Sequence, residues 1–506
     1  MSIGFLDRER TIAPPGWSRW LIPPAALSVH LAIGQAYAWS VFKKPLEATM
    51  LTDSDHPGTL SALPFQLGIV MLGLAAAVLG TRVESRGPRW AMAVSSACFC
   101  SGLAIAAFAV TIDQYWLVVV GYGFVGGIGL GIGYISPVST LIKWFPDRPG
   151  LATGVAIMGF GGGALFASPF STELLKKFDA AVAPPAKGAA PLTEAVLDKA
   201  QDGIAKTFIV MALFYVVFMA MSYLLVRVPA AGWSPGKQAP RADRLLQSKG
   251  NVSAANAIKT PQFWLLWVVL CFNVTAGIGI LERASPIYQD FFPGSDTKTE
   301  LVAAAAGFVA ILSLSNALGR ILWSSTSDYL GRKNMYRMYL GVGALLYLLV
   351  FLTTDSSKPL FLVCCIFILS FYGAGFATIP AYLKDLFGTY QVGAIHGRLL
   401  TAWSVAGVLG PFIINNIADE RISDGKTGPD IYAPSFAIVT VLLVIAFVCN
   451  ELIKPVDPRF HEPAGIEDAV PVEPTDTAAD LEDAQAVTTG SGPPDGGNPK
   501  KIGSPS

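Results

Sequence analysis

Runs of about twenty apolar residues, separated by short polar stretches, recur from Trp20 to Ile453. A bilayer core takes about 20 apolar residues per spanning helix. Run length predicts spans at 20–42, 61–80, 90–110, 115–142, 150–170, 206–226, 262–287, 300–325, 336–353, 359–383, 393–417 and 432–453. Six precede the polar segment 229–261 and six follow it. The pattern therefore predicts an all-α polytopic membrane protein of twelve transmembrane helices in two six-helix bundles. Its expected parts are an N-terminal segment 1–19, an N-terminal bundle 20–228, a central loop 229–261, a C-terminal bundle 262–453 and a disordered tail 454–506.

Composition agrees. The chain is 52% hydrophobic and 14% charged, where a soluble domain carries about 25% charged residues. Zero net charge gives no electrostatic footprint for nucleic acid. All of the six cysteines lie in apolar runs, and Cys98 and Cys100 lack the CxxC spacing, so packing is expected and not a disulfide framework or a metal site. No cleaved signal is expected from the polar first nineteen residues. The central loop carries Lys237, Arg241, Arg244, Lys249 and Lys259 against Asp243. Excess Lys and Arg mark cytoplasmic loops, which predicts a multi-pass protein of the cell (inner) membrane with both termini cytoplasmic. The basic loops 81–89 and 328–337 agree; the lysines of loop 171–205 oppose the count, but long loops obey it poorly. The tail, rich in Pro, Gly, Asp and Thr, cannot bury enough surface to fold alone.

The two halves share a loop signal. Gly80, Glu84, Gly87 and Arg89 follow span two; Ser324, Asp328, Gly331 and Arg332 follow span eight. In each copy the acid comes four residues after a small residue, and the glycine three after the acid. The acid suits a helix N-terminus or an arginine partner, and the glycine a tight turn. Repetition at matching places indicates an internal duplication, a common plan of secondary transporters. Gly121-x-Gly123-x-x-Gly126 matches a dinucleotide fingerprint in letters, but sits inside an apolar span without the strand that motif needs. Its glycines, with Gly159 and Gly161–Gly163, suit close helix packing.

With these paired loops, the chain resembles the major facilitator superfamily. The segments 34–46 (GQAYAWSVFKKPL), 143–154 (KWFPDRPGLATG), 159–164 (GFGGGA), 315–323 (SNALGRILW) and 396–411 (HGRLLTAWSVAGVLGP) are similar to the oxalate/formate antiporter family, itself related to monocarboxylate transporters. The resemblance spans about 20–453 and implies the major facilitator fold and a small carboxylate cargo.

Arg320 lies eight residues before Asp328, about 12 Å deeper at ~1.5 Å per residue. That is near the middle of a ~30 Å core. A charge there costs at least ~2.5–3.5 kcal/mol on insertion scales and marks a pathway or a site. Spans one to six hold no acid well inside an apolar run, and Asn316 stands one turn from Arg320 where monocarboxylate transporters carry an acid by resemblance. A guanidinium without an acid suits a carboxylate ligand; the rival is a structural pair with Glu282 in span seven. Tyr37, Trp39, Gln35, Tyr134, Asn273, Asn316 and Trp403 are the further substrate-site candidates, each with core packing as its alternative. Family oxalate carriers have a lysine near Trp403; its absence here favours a monocarboxylate such as formate, lactate or pyruvate over a dianion. Arg398 offers the other cation, at an expected interfacial position. Glu282, His30 and His396 are the candidates for proton coupling.

The expectation is a secondary transporter working by alternating access. A bare buried cation should resist closure, which favours exchange; proton symport needs one of the three coupling groups. The rivals are an oxalate/formate antiporter proper, a carrier of other cargo, and a non-transporting sensor. No enzyme motif, cofactor or metal site is indicated. A monomer in the lipid bilayer is expected, with oligomers left open.

Overall fold

With no water in the bilayer core, a span must satisfy its own backbone hydrogen bonds, so apolar runs of this length become helices. The computed structural model describes residues 4–52, 54, 57–182, 184, 192–230, 232–235, 248, 250–292, 298–352 and 358–463, without the side chains of 282, 298–303 and 306. The first run is not one helix. It divides into α1 (Ile22–Ile33), a 3₁₀ stretch (Gly34–Ala38) and α2 (Ser40–Thr49). Eleven helices among the described residues are long and apolar enough to cross a membrane. They are α3 (Pro57–Arg86), α4 (Pro88–Thr111), α5 (Tyr115–Trp144), α6 (Pro149–Lys177), α7 (Glu194–Leu225), α8 (Pro261–Phe291), α9 (Lys298–Leu330), α10 (Arg332–Leu352), α11 (Lys358–Phe387), α12 (Val392–Ser423) and α13 (Ala433–Leu452).

Several helices outrun the expected spans. α6 continues to Lys177 and α7 begins at Glu194, where run length placed 150–170 and 206–226. Polar residues such as Lys176 and Asp202 end the apolar window without ending the helix, because a charged side chain does not break the backbone ladder and each pairs at helical spacing, with Glu173 and Lys206. The glycine string lies in a π-helical segment of α5 (Val119–Val125) packed against Gly102 of α4, a helix interface and not a strand-to-helix phosphate turn.

The first half meets the second along two seams: α3 against α12, and α6 against α9. Each pairs the second span of one half with the fifth of the other. A Cβ on Gly154 of α6 would lie 2.6 Å from the Arg320 carbonyl of α9, so only glycine allows that approach.

The duplicated loops close both seams at one end. Gly87 and Gly331 have φ of +89° and +84°, a region that favours glycine, and they start α4 and α10. The Asp328 carboxylate accepts from the Gly150 and Leu151 amides at 2.9 and 3.0 Å, capping α6 from the other half. It also pairs with Arg332, which reaches Asp385 as well. Glu84 accepts from the Gly393 amide at 3.0 Å, at the start of α12, and from Ser139 and Lys143. So Lys143, and not Arg89, partners the first acid. Arg89 donates to the Tyr223 carbonyl near the end of α7; Lys333 donates to Glu451 and Ile453 carbonyls at the end of α13. The duplication extends to these basic contacts with helix C-termini.

The expected tail begins with a docked segment. Lys454 and Pro455 carbonyls accept from Gln262, and Glu462 accepts from Asn256 and the Ser253 amide. These hydrogen bonds to the start of α8 and the loop before it hold 454–463, which composition alone assigned to disorder. The rest of the tail and residues 236–247 of the central loop lie outside the described residues.

Candidate functional site

Arg320 is 1% exposed. Its Nε donates to Asn316 Oδ1 at 3.1 Å, one turn back on α9, and Nη1 donates to the Ile157 carbonyl of α6 at 2.9 Å. Its guanidinium carbon lies 5.7 Å from the Phe376 ring centroid on α11. Nη2 is buried without a partner, and no described carboxylate pairs with the group. Hydrogen bonds to a charged group contribute about 1.5–3 kcal/mol each, so two carbonyl dipoles and a ring face offset much of the burial cost. One arm stays available.

The surrounding aromatic residues present unsatisfied donors. The hydroxyl of Tyr134 and the indole Nε1 of Trp403 are buried without hydrogen-bond partners, and the buried Tyr37 hydroxyl lies close to that of Tyr372 and to Arg320. All three tyrosines are close enough to Arg320 to feel its charge. Trp403 of α12 meets Phe376 at 4.4 Å, Phe160 at 5.4 Å and Tyr134 at 5.5 Å between centroids. Tyr37 lies 5.1 Å from Phe160. Residues of α5, α6, α9, α11, α12 and the 3₁₀ stretch thus converge from both halves. Buried polar groups are normally paired. Here Tyr134, Trp403 and one guanidinium nitrogen are left without acceptors, beside the hydroxyls of Tyr37 and Tyr372.

Tyr37, Tyr134, Asn316 and Trp403 therefore gather with Arg320. Gln35 and Trp39 do not. Gln35 accepts from Tyr122 at 3.1 Å, its Nε2 being buried and unpaired, and Trp39 donates to the Ser61 carbonyl and packs tilted on Tyr122 at 4.2 Å, inside the first half. Asn273 of α8 packs against Gly375 of α11, with Oδ1 unpaired. Glu282 sits on α8 beside Arg283, whose φ/ψ of −104°/16° breaks the helix; the Glu282 side chain lies outside the described residues. Arg283 pairs with Asp419 at 2.7 Å. Arg398 is half-buried, with Nη1 unpaired. His30 and His396 flank Tyr134, with ring centroids 5.4 and 5.9 Å away. The loop-motif residues Gly80, Glu84, Gly87, Arg89, Asp328, Gly331 and Arg332 lie at the closed end and outside this cluster.

Sequence reasoning missed Tyr372, Phe376 and Phe160. Aromatic residues inside an apolar run carry no distinguishing signal. The one available clue was the short spacing of Tyr372 and Phe376, one turn apart on the same helix face. Glu47 was missed too: α2 carries it to a buried position, where it accepts from Ser61 and Lys44.

A family model described as the Major Facilitator Superfamily matches residues 18–411 and 311–481. The apicoplast pyruvate carrier 1 of Toxoplasma gondii is 25% identical over 394 residues, covering 71% of this chain and 69% of that protein. The oxalate:formate antiporter of Oxalobacter formigenes is 24% identical over 402 residues, covering 78% and 83%. Among solved structures, the Escherichia coli fucose:proton symporter FucP superposes with a TM-score of 0.61 at 15% identity, over 86% of this chain and 99% of that one.

Proposed function

The chain belongs to the Major Facilitator Superfamily, whose members are transporters and not enzymes, and on that premise we propose that it carries small monocarboxylates, such as formate, lactate or pyruvate, by alternating access. The handle is Arg320. The reading places the protein in the cell (inner) membrane with both termini cytoplasmic, the loop-motif end facing the cytoplasm and two six-helix halves rocking about the site. The observation that carries it is the unpaired Nη2 of a fully buried guanidinium beside the unpaired donors of Tyr134 and Trp403. A carboxylate supplies the missing acceptors, two oxygens with about four lone-pair sites. The carboxylate relatives, a pyruvate carrier and an oxalate:formate antiporter, support the cargo class.

A second reading, oxalate exchange, draws on Arg398, whose Nη1 is also buried and unpaired. A dianion favours two cations.

The test is counterflow of labelled formate, lactate, pyruvate and oxalate in proteoliposomes. Monocarboxylates are expected to exchange, and Arg320→Gln to lower uptake about ten- to a hundredfold, the equivalent of one charged hydrogen bond. Arg320→Lys keeps charge without the planar fork and is expected to recover little. Transport of oxalate alone would favour the second reading. Wild-type kinetics in Arg320→Gln would remove the handle.

A further inference from the structure

We propose that Arg8, Arg89 and Arg227 form a site for the phosphate of an anionic phospholipid, in the leaflet at the loop-motif end of the first half. The three come from separate stretches of chain. Arg8 opens a short 3₁₀ turn (Arg8–Thr11) ahead of α1, Arg89 lies in the first turn of α4, and Arg227 follows the end of α7. Backbone contacts bring them together. The Phe5 carbonyl accepts from Arg89 Nη1 at 2.8 Å, and the Thr11 carbonyl accepts from the Val228 amide at 2.9 Å. The segment 5–11 therefore runs from Arg89 to Arg227, with Arg8 between them. The Arg8 stem covers Gly87, where a built Cβ would lie 3.1 Å from the Arg8 Cβ and Cγ.

Three cations gather here without an acid. Arg89 is 3% exposed, and the charge of Arg227 acts on it. Both donate to backbone carbonyls alone: Arg89 Nε to Tyr223 at 3.1 Å, and Arg227 Nη1 to Leu224 and Val226 at 3.0 and 2.8 Å. Arg8 Nη1 is buried without a partner. Among the described residues none of the three forms an ion pair. Glu84 is engaged by Lys143, and Asp7 and Glu9 of the segment itself do not pair with them. Like charges this close repel unless an anion lies among them. A planar guanidinium fork matches the oxygens of a phosphate.

The surroundings favour a lipid over a soluble phosphate. Phe5, Ile12, Trp20 and Leu21 lie ahead of α1 and are all exposed. The Arg89 guanidinium sits 4.6 Å from the Phe5 ring centroid, and that of Arg227 sits 5.1 Å from Trp17. Apolar and indole side chains beside arginines at helix ends fit a membrane interface. Basic pockets between helix ends take phospholipid headgroups. The headgroup ties the N-terminal segment, α4 and α7 together within one half and crosses neither seam. Its occupancy therefore stabilises that half and is not part of carboxylate binding at Arg320.

The test uses purified full-length protein, stripped of native lipid in detergent and titrated with short-chain phosphatidylglycerol. The melting temperature is expected to rise, with one lipid retained per chain in native mass spectrometry. Short-chain phosphatidylcholine and inorganic phosphate are expected to leave melting unchanged. Arg8→Gln and Arg227→Gln are each expected to weaken phosphatidylglycerol binding about tenfold, the loss of one charged hydrogen bond. Arg8 meets the protein through its stem on Gly87, so Arg8→Gln is expected to fold as wild type and decides the matter if Arg227→Gln does not. Lys259→Gln with Arg459→Gln removes two exposed cations near the start of α8 and is expected to leave binding within twofold. Undiminished binding in Arg8→Gln would overturn the proposal, as would an equal loss in the Lys259–Arg459 pair or equal stabilisation by phosphatidylcholine. Equal stabilisation by inorganic phosphate would overturn the lipid as the ligand.

Discussion

Arg320 keeps a free arm partly because of what α6 lacks beside it. A Cβ on Gly161 would lie 2.7 Å from the guanidinium carbon, whereas one on Gly162 would meet nothing within 4 Å. Gly161→Ala is therefore expected to displace the guanidinium and raise the KM for pyruvate severalfold. Folding should not suffer, since the group that moves is the end of a flexible side chain and alanine is the better helix former by about 1 kcal/mol. Gly162→Ala should leave KM within twofold. Uptake kinetics beside thermal melts of both variants check this; equal KM values would place the ligand elsewhere. Tyr372→Phe removes one hydroxyl donor, and a loss of about fivefold in affinity is expected, matching about 1 kcal/mol. Arg320 itself was legible in the sequence because a charge in an apolar run is rare and its depth can be counted from Asp328. Tyr372 was not, because its hydroxyl matters only through neighbours from other helices.

Helices turn individual residues toward or away from the site, and local geometry decides which. The 3₁₀ stretch Gly34–Ala38 advances by ~120° per residue where an α-helix advances by ~100°. Over five residues the phase drifts by about 100°, and Trp39 ends against Tyr122 instead of Arg320. A reading of span one as a regular helix puts Tyr37 and Trp39 in one class, which the structure separates. The acid-plus-glycine loops were legible through their matching spacing. Which helix each acid caps was not, because the capped amides belong to the other half. Those caps are expected to hold the loop-motif end shut. Asp328→Asn and Glu84→Gln weaken charge-assisted bonds at helix N-termini, worth about 1 kcal/mol or more. Each should speed thiol labelling of a cysteine placed at Ala394, in a background freed of native cysteines. Unchanged labelling would mean that seam packing, and not the caps, sets closure.

At the scale of the molecule, the twelve apolar runs and their division into halves could be read directly, since bilayer thickness constrains run length. How tightly the halves touch could not, because it depends on small residues meeting across chain-distant helices. The two seams are equivalent by duplication, so alternating access requires them to part together at the loop-motif end. The α3–α12 seam offers a direct test. A Cβ built on Gly80 lies 3.5 Å from that of Ala394, at the short edge of the ~3.5–4.5 Å range of disulfides. It also lies 2.9 Å from the Ala394 Cα, so the backbones must spread by a few tenths of an ångström. Gly80→Cys with Ala394→Cys, after replacing the six free cysteines, should cross-link on mild oxidation. Uptake should fall to the protein-free background and return with reductant, because a seam locked at one end leaves the site reachable from one side only. Full transport by the oxidised protein would show that this seam stays closed throughout the cycle, and the motion would then have to be sought within single helices, at breaks such as Arg283 of α8 or the 3₁₀ stretch of span one.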